Sequence, residues 1–164
     1  MNGAFVHLAF NHIPVIGIPF GLLLLLAGLL RQSRDLVQAA FVSWVVIALC
    51  TVVAFKSGGP AAHTIKGLPG IERSTIHEHA EAADWALRGA VGLAAFSWLG
   101  LWFIKKSNAA PKWLSVLLVL GGIGVSGWSA YVAHLGGLIR HPEIAQGFVA
   151  EASPPTAGAP MPPH

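Results

Sequence analysis

Eight histidines stand in this chain of 164 residues: His7, His12, His63, His77, His79, His134, His141 and His164. Neutral imidazole is the commonest protein ligand for metal ions, and imidazole also serves as an axial ligand to haem iron. His12 and His134 lie in apolar sequence near the ends of long hydrophobic runs, where an imidazole without a partner is expensive. Counting from the nearest basic turn at 1.5 Å per helical residue puts His12 about 28 Å above Arg31 and His134 about 33 Å above Lys112. His7, His77, His79 and His141 follow at about 36 to 43 Å. Six histidines from three segments therefore fall in one interfacial layer, with His63 in a loop on the same side. By depth, His12 and His134 are the first candidates for ligands, followed by His7, His77, His79 and His141.

Other residues support or limit that chemistry. His77, Glu81, Asp84 and Arg88 follow the spacing of one helix face. An arginine one or two turns inside an apolar run needs a partner. Asp84 can supply it as an i,i+4 pair, and a haem propionate would also suit the guanidinium fork. Arg140, beside His141, is a second candidate for such a contact. His12, His134, His77 and His141, with Glu78 or Glu81, could instead hold copper or zinc. One cysteine (Cys50) and two methionines disfavour a soft Cu(I) site and exclude an internal disulfide. There is no C-x-x-C-H for covalent haem. No G-x-S-x-G, H-E-x-x-H or P-loop occurs, and the H-E-H of residues 77–79 does not put both rings on one helix face.

The elements that carry these residues follow from composition. The chain is 54% hydrophobic and 10% charged, against about 25% charged in soluble domains, so lipid is the expected solvent. Four runs approach or exceed the roughly 20 apolar residues that span hydrocarbon. They predict helices over about 9–30, 36–55, 76–105 and 113–138, an all-α integral membrane four-helix bundle occupying residues 1–142. Gly58-Gly59-Pro60 and Gly67-Leu68-Pro69-Gly70 predict a long loop over 56–82, and Thr75–Glu78 reads as a capping box. Residues 143–164 are Pro- and Ala-rich and read as an extended or disordered tail.

The short loops carry Arg31, Arg34, Lys105, Lys106 and Lys112 against one acid, Asp35. The positive-inside rule puts them in the cytoplasm. In a bacterial inner membrane, both termini and the 56–82 loop would then be periplasmic. The scattered basic residues form no stripe with interleaved aromatics, so nucleic acid is not an expected partner.

The run His7-Leu-Ala-Phe-Asn-His12-Ile-Pro14 resembles the start of a family of small bacterial four-helix membrane proteins, whose first helix opens with His-x4-His-Phe-Pro. Ile13 stands here in place of the phenylalanine. His79-Ala80 is similar to the opening of that family's third helix, and Gly136-Gly137 through His141 to the end of its fourth. The resemblance covers roughly residues 5–142. It implies a polytopic protein that carries haem or serves redox complexes. The expectation is a cytochrome b-like electron carrier rather than an enzyme by itself, with one or two b haems. Arg88 and Arg140 would sit near propionates, and the partners would be a redox complex or a periplasmic carrier. The alternatives are a non-catalytic accessory subunit and a histidine-based metal site.

Overall fold

The computed structural model describes residues 3–68 and 71–141; the 143–164 tail and His164 lie outside the described residues. Its helices are α1 (Gly3–Phe10), α2 (His12–Leu30), α3 (Arg34–Ile65), α4 (Arg73–Ser107) and α5 (Lys112–Arg140). Together α1 and α2 form one span, and four helices are long and apolar enough to cross a membrane. The turn at Asn11 follows from Pro14, which cannot donate to the Phe10 carbonyl and crowds it.

Around the bundle, α2 packs against α3 and α5, and α4 against the same two. The first and third spans therefore stand diagonally opposite. Toward the N-terminus α1 leans chiefly on α3. Both short basic turns lie at one end. There the Arg34 guanidinium donates to Asn108 Oδ1 at 2.8 Å, and Asn108 caps α4 at φ 64°, a left-handed conformation that asparagine tolerates.

Large side chains fill the bundle from its basic end to its middle: Ile18, Leu25, Phe41, Trp44, Leu93, Ile104, Leu114 and Leu118 are buried. In a bilayer, helix association rests on close packing because lipid is as apolar as the interface. Gly21 and Gly122 admit the Trp44 ring from two helices, and Gly100 admits Phe41. Trp44 Nε1 donates to the Ile18 carbonyl at 3.1 Å. Toward the other end the buried positions are mostly small or polar, Thr51, Ala54, Ser57, Ala82, Ala86 and Ser129, with Leu135 the large side chain among them.

Three boundaries differ from the sequence expectation, the first being the start of the first span, at Gly3 rather than about residue 9. The Gly58-Gly59-Pro60 stretch stays helical, and α3 runs to Ile65. Pro60 removes one backbone donor, but Gly3 of α1 lies directly against its ring, so tertiary packing outweighs the breakers. The link between α3 and α4 is thus far shorter than the expected 56–82 loop. Likewise α4 begins at Arg73 with Glu72 as N-cap, one turn ahead of the expected capping box.

Candidate functional site: a facing pair of histidines

At the end away from the basic turns, His7 of α1 and His79 of α4 face each other. Their ring centroids are 6.5 Å apart and their planes cross at 88°. Both rings are half-buried, whereas His12, His63, His77, His134 and His141 are exposed. His7 Nδ1 lies 2.9 Å from the Ala54 carbonyl of α3. His79 Nδ1 lies 3.1 Å from the Val132 carbonyl of α5. A carbonyl only accepts, so each Nδ1 carries the proton. In the neutral ring this leaves the lone pair on Nε2.

All four spans build the pair. The diagonal helices supply the imidazoles, and the two between them supply the carbonyls that fix tautomer and orientation. A glycine stands four residues beyond each carbonyl: Gly58 after Ala54 and Gly136 after Val132. A Cβ at Gly136 would stand 3.2 Å from His79 Cε1, and one at Gly58 would stand 3.5 Å from His7 Cε1. Gly136 is the tighter fit. Gly136→Val is therefore expected to push the His79 ring off Val132, removing its hydrogen-bonded Nδ1–H signal from the histidine NMR spectrum. Gly137→Val enters open space and is expected to leave that signal unchanged.

Among the described residues, no group of three or more His, Cys, Asp or Glu side chains could hold a metal ion. The other sequence candidates stand on the exterior. His12 Nδ1 lies 3.3 Å from the Leu8 carbonyl of its own span. His77 lies 3.1 Å from Glu81, with both side chains mostly exposed. His134, Arg140 and His141 are exposed, and the His141 backbone N–H closes α5 on Gly137. Arg88 pairs with Asp84 and lies 4.8 Å above the Trp85 ring. The structure thus brings His7 and His79 together and leaves His12, His77, His134, His141, Arg88 and Arg140 apart from them.

Two further residues belong to this half of the bundle. Asn11 Oδ1 and Ser129 Oγ are buried and make no hydrogen bond among the described residues, and Ser129 is 2% exposed. A buried polar atom without a partner costs about 1–3 kcal/mol. Asn11 lies one turn from His7 on the same face, and Ser129 one turn below Val132. The signal for them, and for the pair, was the alternating 4-3 spacing of the core stripe. His7, Asn11, Pro14, Ile18, Gly21, Leu25 and Gly28 follow it, and His12 does not.

Comparison with protein-family models, curated proteins and solved structures found no match.

Proposed function

We propose that the protein is a membrane b-type cytochrome-like electron carrier in which His7 and His79 are the axial ligands of one haem. The observation that carries this reading is the pair itself: two imidazoles, each with Nδ1 tied to a carbonyl, with centroids 6.5 Å apart. Metal–imidazole bonds of about 2 Å would put two rings sharing one ion at a centroid separation of about 6 Å. A bare zinc site takes three or four protein ligands. Haem supplies four nitrogens itself and needs only two from the chain, which matches this donor set.

The surroundings support the same group. Ala54, Gly58, Ala82, Ala86 and Gly136 are small, and Asn11 and Ser129 present polar atoms without partners among the described residues. Bound haem supplies one-electron chemistry. The chain's own part would be to present the two imidazoles and to raise their basicity as ligands through the Nδ1–H bonds to carbonyls. The low-dielectric helix walls tune the potential. With the basic turns in the cytoplasm of a bacterial inner membrane, the pair lies on the periplasmic side, beside a periplasmic carrier or a larger redox complex.

The test is the visible spectrum of the purified protein, oxidised and dithionite-reduced. A sharp Soret band and the α-band of b haem are expected. Their absence in protein extracted under mild conditions would overturn the reading and leave the accessory-subunit role. His12→Ala and His134→Ala, both on the exterior, are expected to leave the bands unchanged. Loss of the bands in either variant would move the ligand assignment away from His7 and His79.

A further inference from the structure

We propose that Ser57 is a positioning residue for His7: its hydroxyl shares the Ala54 carbonyl with the imidazole and so sets how firmly the Nδ1–H is held. Three donors meet at one oxygen. His7 Nδ1 lies 2.9 Å from the Ala54 carbonyl, and Ser57 Oγ donates to the same oxygen at 2.9 Å. The α-helix brings the Gly58 N–H to it as well. A carbonyl oxygen has two lone pairs, so the donors compete. Ser57 Oγ also reaches the Val53 carbonyl at 2.9 Å. With one proton and two acceptors at equal distance, the hydroxyl is shared between them. Ser57 is buried, so bulk water does not relieve the crowding.

A serine that bonds back to carbonyls of its own helix is ordinary in an apolar segment. Thr51 does the same, donating to the Ile47 carbonyl at 2.7 Å. What separates Ser57 is that its acceptor also serves a ring from another span, 47 positions away. His79 has no such competitor on its acceptor's helix. After Val132, Leu135 and Gly136 stand at the places that Ser57 and Gly58 hold after Ala54. One hydroxyl therefore distinguishes two otherwise matching cradles. A second-shell bond to Nδ1–H strengthens an imidazole as a metal ligand, so a shared carbonyl makes His7 the weaker donor of the two. The consequence for iron rests on the haem reading: without the hydroxyl, His7 would donate more strongly, favour ferric over ferrous iron and lower the potential.

The test is NMR of the purified full-length protein carrying isotope-labelled histidine, reduced with dithionite so that any low-spin haem is diamagnetic. His7→Ala and His79→Ala assign the two hydrogen-bonded Nδ1–H signals. In Ser57→Ala the His7 signal is expected to move downfield as its bond to Ala54 tightens, while the His79 signal stays in place. Ser57→Thr keeps a hydroxyl and is expected to hold the His7 signal near its wild-type position. Thr51→Val removes a back-bonded hydroxyl deeper in the same helix, on a carbonyl that serves neither ring, and is expected to move neither signal. A His7 signal that stays put or moves upfield in Ser57→Ala would overturn the proposal. So would an equal shift of both signals, or the same shift in Thr51→Val, since either marks general loosening of the bundle. Where the bands of b haem are present, a lower midpoint potential is expected in Ser57→Ala than in Ser57→Thr, and an equal or higher one would overturn the link to the iron. The NMR shift is read whether or not haem is bound, so its failure is distinct from failure of the haem reading.

Discussion

His79→Ala is expected to abolish the low-spin spectrum of the purified protein, and His7→Ala to do the same. Each imidazole would supply one of only two protein ligands, and the chain has no C-x-x-C-H to hold the macrocycle covalently. Loss of either ring would remove a proposed metal bond together with the hydrogen bond that orients it, from Nδ1 to Val132 or to Ala54. The fold should survive, because the cluster of large buried side chains from Ile18 to Leu118 excludes both histidines. Circular dichroism is expected to show unchanged helix content. Added imidazole should enter the space left by either ring and restore the low-spin bands. A variant that keeps wild-type bands without imidazole would remove that residue from the site.

Trp44→Ala should have the largest effect on stability. The indole is 1% exposed, donates to the Ile18 carbonyl and meets Gly21 and Gly122 of two other spans. Neither glycine has a side chain with which to close the gap. Aromatic-to-alanine changes in packed cores cost about 3–5 kcal/mol. The loss here is packing and a buried hydrogen bond rather than water exclusion, because lipid already surrounds the bundle. Reversible unfolding in mixed micelles is expected to show a loss of about 3 kcal/mol or more, with Trp44→Phe losing less. A loss below about 1 kcal/mol would show that Trp44 does not hold the three spans together.

Much of this was legible in residue order. Apolar run lengths gave four spans, the loop lysines and arginines marked one end, and counting from them put the histidines in a layer at the other. The Asp84–Arg88 pair was also readable from its spacing. Which histidines meet was not readable from depth, because depth ignores rotation. His12 is deeper than His7, but five residues turn a helix by about 140° relative to the start, so only one of the two can face the bundle axis. The alternating core stripe selects His7. The same phase selects His79 over His77 on α4, and Val132 and Gly136 over His134 on α5. The extension of α3 through Pro60 lay outside local rules altogether, because it depends on Gly3, 57 positions away in the chain.

The central proposal is that His7 and His79, whose ring planes cross at 88°, would together ligate one haem. Electron paramagnetic resonance of the oxidised protein at low temperature tests it most directly. Two axial imidazoles in perpendicular planes leave the iron d-orbitals nearly degenerate, so a strongly anisotropic low-spin ferric signal with a large g-maximum is expected. A rhombic low-spin signal of parallel imidazoles, a high-spin signal or no ferric haem signal would contradict the assignment.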